Sequence, residues 1–173
     1  MLSGHLSKCP LIRRGLKFLS RAEDNIMIDM PPGITTASEG FGNVVWNILG
    51  QTYTLKQQSD ASMAWHAVFP AGTFVPPHIH PNQDEFVYVL SGRYDLWLDG
   101  KDFTATAGDL VRMPKGLPHG IFNKSGETAT SLFWVAPTRT LKELFERIHN
   151  LPDPAEVVRI AAEHEVNFLP PPA

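Results

Sequence analysis

His78-Ile79-His80 places two imidazoles two residues apart. On an extended backbone that spacing points both rings to one face, where they can converge on a single ion; a helix would splay them. Pro76, Pro77 and Pro81 flank the pair and oppose helix, and Pro77 and Pro81 also hold the residues before them extended. Glu85 follows at the head of the run Phe86 to Leu90, and a short turn through Asn82 can return its carboxylate to the same centre. A second segment, from Gly108 through Pro114 and Gly116 to Asn123, supplies a third imidazole, His119, at the start of another run. Three imidazoles and one carboxylate make a donor set suited to one divalent ion of iron, nickel, cobalt, manganese or zinc. The His78/His80 pair alone fits a solvated or hydrogen-bonded role as well as it fits ligation, so the weight rests on all four residues. His5, His66, His149 and His164 have no partner at ligand spacing and read as hydrogen-bonded core or surface residues.

Positioning four side chains from two separated segments requires a rigid frame, and the pattern predicts one made of strands. After Met30-Pro31-Pro32-Gly33 the chain breaks into short alternating or β-rich runs: 44–49, 53–56, 62–69, 86–90, 94–98, 102–104, 110–113, 119–122 and 130–135. Asp99-Gly100 is a two-residue hairpin signal, and Ser91-Gly92 and Ala107-Gly108 punctuate in the same way. Such a series of strands without an intervening helix predicts an all-β antiparallel sandwich or barrel, whose closure or stacking protects its edges.

Helical periodicity returns beyond Pro137. Leu141, Leu144, Phe145 and Ile148 form one apolar stripe, with Thr140 and Glu143 as a capping box. Asp153 is a good N-cap for a second helix with Pro154 at its first position and Val157, Val158 and Ala161 available for packing. Both helices are expected on the barrel's outside or at a subunit contact. Three parts result: an N-terminal arm over 1–34, a barrel over 35–137 and a C-terminal helical extension over 138–173. In the arm, Lys8, Arg13, Arg14, Lys17 and Arg21 precede the first acidic residue, Glu23, while Ile12, Leu16 and Leu19 repeat with helical spacing. This basic amphipathic helix fits a targeting presequence or a helix docked by its apolar stripe.

A chain of 173 residues with 43% hydrophobic and 19% charged residues can bury a core without disulfides and is not disordered in composition. A formal charge of −3 provides no basic surface for nucleic acid. Cys9 is the only cysteine and cannot pair within the chain, which fits a reducing compartment, so the expected location is cytoplasmic. Nothing approaches the roughly 20 apolar residues that cross a bilayer, so no membrane partner is expected.

The two histidine-bearing segments resemble the two motifs of the cupin superfamily at every defining position. Gly72, His78, His80, Glu85 and Gly92 match the first; Gly108, Pro114, Gly116, His119 and Asn123 match the second. The resemblance implies a double-stranded β-helix, or jelly roll, with His78, His80, Glu85 and His119 as metal ligands and Asn123 as a structural residue. A finer likeness covers about 44–170. Trp46 to Gly50, Tyr53 to Lys56, Phe86 to Gly92 and a tail ending in Val166-Asn-Phe-Leu-Pro170 resemble the small bacterial cupins grouped as quercetinase-like.

That likeness implies a metal-dependent oxidoreductase, a dioxygenase acting with dioxygen on a phenolic or enolic small molecule, with Glu85 as both ligand and catalytic base. Two alternatives belong to other classes. One is a metal-dependent isomerase, decarboxylase or lyase acting on a small polar acid or sugar; the other is a cupin that only binds a small ligand. Arg93 and Arg112 discriminate: turned into the barrel they favour an acidic substrate, turned to solvent an aromatic one. Phe86, Tyr88 and Leu90 lie on the opposite face from Val87 and Val89, and which face lines a pocket is left open. Exposed barrel edges and amphipathic C-terminal helices predict a homodimer.

Overall fold

The computed structural model describes residues 30–170. The basic helix expected within the arm lies outside those residues. Two antiparallel sheets form a double-stranded β-helix, as the resemblance implied. The larger contains β1 (Val45–Ile48), β2 (Gln51–Gln58), β3 (Met63–Phe69), β5 (Asp84–Ser91), β8 (Leu110–Met113) and β10 (Ala129–Ala136), ordered β1-β2-β3-β10-β5-β8. The smaller contains β4 (Phe74–Ile79), β6 (Arg93–Leu98), β7 (Lys101–Thr106), β9 (His119–Phe122) and β11 (Asn167–Phe168), ordered β11-β4-β9-β6-β7. Helices α1 (Leu141–Ile148) and α2 (Pro154–Glu163) follow the barrel. No helix among the described residues is long and apolar enough to cross a membrane.

Strand alternation decides what is buried. Along β3 the side chains of Met63, Trp65, Ala67 and Phe69 point between the sheets while Ala64, His66 and Val68 do not. Phe133 stacks between Trp65 (5.6 Å, 14°) and Phe69 (5.8 Å, 8°) within the larger sheet. Tyr94 of the smaller sheet presents its ring edge-on to Phe69 at 5.2 Å, and its hydroxyl lies 2.8 Å from Ser131 Oγ of the larger. Aromatic pairs of this kind add about 0.5–1.5 kcal/mol beyond the area they bury, so the contact helps fix the separation of the sheets.

Three elements differ from the expectation. β4 was not predicted, because Pro76 and Pro77 interrupt its pattern; neither can donate to the ladder, and the register with β9 shifts between Val75 and His78. β11 has two residues, too few for a period, and a 3-10 turn over Phe41–Asn43 likewise went unpredicted. The capping box at α1 does not form: Thr140 has φ −98° and ψ 16° rather than extended backbone, and its hydroxyl donates to His164 O at 3.3 Å. At α2 the expected cap is present, Asp153 accepting from Ala155 N at 2.9 Å. Val158 is exposed, since the buried stripe runs through Val157, Ile160 and Ala161.

Candidate metal centre

β4 and β9 pair so that His78 and His119 are direct cross-strand partners, their rings 4.3 Å apart. The bulge makes this possible. Pro76 and Pro77 together oppose Gly120, and a Cβ on Gly120 would lie 3.2 Å from Pro77 N and 3.0 Å from the Phe122 ring, so a larger residue would crowd the bulge. His80 follows β4 in a loop tied to the turn of the second motif by Gly116 N donating to His80 O at 2.9 Å. Glu85 enters from the opposite sheet. It shares the inner face of β5 with Val87 and Val89, which settles the open alternation: Phe86 and Tyr88 face outward, Phe86 stacking on Trp134 at 5.1 Å.

All four side chains are buried, and each offers one ligand atom within 4.8 Å of the others. Glu85 Oε2 lies 3.0 Å from His119 Nε2, 3.3 Å from His80 Nε2 and 3.9 Å from His78 Nε2. The outer nitrogens are already engaged. His78 Nδ1 is 2.8 Å from Pro76 O, His119 Nδ1 2.9 Å from Leu117 O, and His80 Nδ1 3.0 Å from Gln83 Oε1. A carbonyl oxygen can only accept, so each Nδ1 carries its proton and each Nε2 turns a lone pair toward the centre. Three lone pairs facing a carboxylate is an arrangement that a cation satisfies, and the donor set fits a divalent transition-metal ion.

Burial, reinforced by the neighbouring imidazoles, lowers the pKa of His78 to about 3 and keeps it a free donor. Burial alone would raise the pKa of Glu85 and lower that of His80. Hydrogen bonds that His119 and His80 give to Glu85 when their Nε2 is protonated reverse the first, so Glu85 titrates below its ordinary range, and the bond to Glu85 reverses the second, so His80 titrates above its own; a bound cation would displace those Nε2 protons.

Three members of the cluster, His78, His80 and Glu85, form one wall of a cavity of about 90 Å³. The rest is apolar apart from Gln51, the Tyr53 hydroxyl and Trp65, and includes Phe74, Phe133, Phe145, Phe168 and the inner stripes of both helices. The helices therefore close the cavity with the stripe that the sequence assigned to the barrel's outside or a subunit contact. Phe168 of β11 pairs with His78 and holds its ring 5.4 Å from that imidazole. Arg93 is exposed and pairs with Asp95 at 3.0 Å; Arg112 is exposed as well. Neither lines the cavity.

Of the remaining histidines, His149 Nδ1 accepts from Asn47 N and His164 Nδ1 donates to Ile160 O, both at 2.9 Å. His66 is partly buried on the outer face of β3, and His5 lies outside the described residues. Asn123 has the structural role implied, its amide donating to Phe69 O and Glu127 O at 2.8 Å. Sequence reasoning missed Gln83, which is 2% exposed and holds His80, and gave no special place to Tyr53 and Gln51. For the last two a signal existed, since Gln51 falls on the same inward-facing alternation as Tyr53 and Leu55.

Two antiparallel sheets enclosing three histidines and a glutamate define the class of the chain, a β-barrel with a candidate mononuclear metal centre. Residues 65–136 match the sequence profile of the cupin domain, which supports the cupin resemblance of the two histidine-bearing segments. It is 34% identical over 71 residues to a protein named polyketide synthase CurC of Streptomyces cyaneus, a stretch covering 41% of this chain and 46% of that one. It is 30% identical over 96 residues to a quercetin 2,3-dioxygenase of Bacillus subtilis, covering 56% of this chain and 28% of that one. The chain thus spans less than half the length of either relative. The structure of KdgF from Halomonas sp. superposes with a TM-score of 0.53 at 22% identity, over 62% of this chain and 99% of that one, a likeness of fold.

Proposed function

We propose that the chain is a metal-dependent dioxygenase acting on a small, largely apolar enolic or phenolic molecule, with His78, His80, Glu85 and His119 holding one divalent ion of iron, nickel, manganese, cobalt or zinc. The observation that carries this reading is the cavity wall, where His78, His80 and Glu85 of the cluster face an apolar enclosure without any arginine or lysine. A substrate carrying a further anionic group away from the ion would find no cationic side chain to pair it there, at a cost of several kcal/mol. The similarity to a quercetin 2,3-dioxygenase supports the choice of reaction.

When bound, the ion would supply Lewis acidity toward the substrate's enolic oxygen and a partner for dioxygen. The protein's own part is distinct. The Nδ1 hydrogen bonds aim three imidazoles inward with Nε2 toward the ion. Glu85 is the one carboxylate in the cavity lining, and accepts the proton that the substrate hydroxyl gives up. The aromatic walls and both helices exclude bulk water from the reacting atoms. Size refines the substrate. About 90 Å³ is less than the roughly 150 Å³ that admits benzene to an apolar protein cavity, so a flavonol-sized ligand requires α1 and α2 to move.

Metal analysis of the purified protein, then oxygen uptake with small enols and phenols, tests this reading. Uptake that disappears in Glu85→Gln and His80→Ala supports it; no uptake with any reconstituted metal overturns it. The proposal includes a homodimer. Tyr88, Leu90 and Leu110 are exposed side by side on the outer face of the larger sheet, beside the Phe86–Trp134 stack, and a second copy is the occupant expected there. A monomer in light scattering at micromolar concentration would count against the dimer alone.

A further inference from the structure

We infer that Tyr53 is a positioning residue that accepts a hydrogen bond from the substrate, so that the cavity selects small apolar molecules carrying a spare donor beside the oxygens that meet the metal cluster. This rests on the metal reading above and deepens it by naming the ligand's chemistry.

The argument begins at Phe74. Its carbonyl oxygen receives a hydrogen bond from Gln51 Nε2 at 2.8 Å. A carbonyl accepts and never donates, so the Gln51 amide has one permissible orientation, with Oε1 turned away from Phe74. Tyr53 donates its hydroxyl hydrogen to that Oε1. A phenol has one proton, so what Tyr53 retains is a lone pair. Both side chains are buried, at 2% and 6% exposure, which leaves little competing water. Both line the same cavity as His78, His80 and Glu85. Burial first, then the negative charge of Glu85, raises the phenol's pKa well above its ordinary value, so the acceptor stays neutral.

A buried acceptor with no partner is penalised, and a site built around such a group discriminates strongly against ligands that cannot satisfy it. The imidazole Nδ1 protons are committed to carbonyl oxygens and unavailable to Tyr53. A ligand hydroxyl or N–H is therefore the complement. Leu55 and Gln51 flank Tyr53 on the inner face of β2, a paired strand, so the acceptor is held on a rigid element.

The test uses the full chain loaded with Co(II), whose visible absorption reports a ligand entering the coordination sphere, so it needs no turnover. Acetohydroxamic acid chelates through two oxygens and keeps an N–H; the acetylacetone enolate chelates through two oxygens and keeps no donor. Tyr53→Phe is expected to weaken acetohydroxamate binding about tenfold and to change acetylacetone binding by less than about twofold. Gln51→Leu frees the phenol proton and should erase the discrimination while leaving the hydroxyl in place, which separates the hydrogen bond from any packing defect in Tyr53→Phe. Parallel weakening of both chelators, or no change for either, overturns the inference. Absent cobalt bands in the unmodified chain overturn the metal reading and the inference with it. Retained discrimination without oxygen uptake leaves the inference standing and removes only the oxygenase reaction.

Discussion

His80 Nδ1 lies 3.0 Å from Gln83 Oε1, and Gln83 cannot rotate away, because its Nε2 donates to Pro137 O at 2.9 Å and to Thr138 O at 2.7 Å. One amide thus fixes the tautomer and direction of a candidate ligand by anchoring it to the end of β10. Gln83→Leu should keep the fold and weaken metal binding about 10–100-fold, the usual effect of losing such an outer partner. Competition with a chromophoric chelator measures it. Unchanged affinity would mean that His80 needs no support.

Three inward imidazoles crowded around one carboxylate should also make the ion a stabilising ligand. Saturation at about a hundred times the dissociation constant adds roughly 2.7 kcal/mol. For a chain of 173 residues this corresponds to a rise in Tm of roughly 5–10 °C. Chelator should reverse the rise, and His119→Ala should abolish it. A melting temperature insensitive to metal and chelator alike would argue against the centre.

Two glycines separate backbone strain from crowding. Gly92 and Gly100 have φ of +77° and +80°. A Cβ on Gly92 would lie 2.8 Å from Ala129 Cα, whereas nothing lies within 4 Å of one on Gly100. Gly100→Ala should cost about 1–2 kcal/mol, the penalty of left-handed backbone. Gly92→Ala should cost about 1–3 kcal/mol more, since the β5–β6 turn must move away from β10. Urea unfolding of both variants gives the comparison, and equal losses would show that the turn yields without cost.

What could be read from the sequence follows how local the cause is. The four cluster residues were legible because His78, His80 and Glu85 sit within one extended segment, and His119 within a second whose turn residues are fixed. The β6–β7 hairpin was legible from Asp99-Gly100, two residues that both take positive φ. Gln83 was not, because its partner Thr138 is 55 positions away and nothing near it in the chain marks the contact. The same holds for Gln51 and Phe74, 23 positions apart. The stripe on α1 declared how much of the helix would be buried, not against what; that it faces the cavity depends on the barrel being open at that end. β4 was hidden because its two prolines remove the ladder donors by which a strand is usually recognised.

Alkaline pH should unfold the protein through its buried phenols. Tyr94 is fully buried, with its hydroxyl 2.8 Å from Ser131 Oγ; burial pushes its pKa up to about 12, against a partial opposing effect of the Ser131 bond. In the unfolded chain a phenol titrates near 10. Below about pH 10 both states hold the proton and the full stability is present. Between about 10 and 12 the unfolded chain releases it while the folded chain retains it, so the unfolded state binds fewer protons and stability falls as pH rises. Tyr53 adds to the same trend, since burial and then Glu85 raise its pKa as well. The urea midpoint should therefore drop between about pH 10 and 12. Tyr94→Phe should flatten that drop without removing it, while costing about 1–3 kcal/mol near neutrality because Ser131 loses its partner. A Tyr94→Phe chain whose midpoint falls as steeply as before would show that this phenol does not govern the alkaline limit.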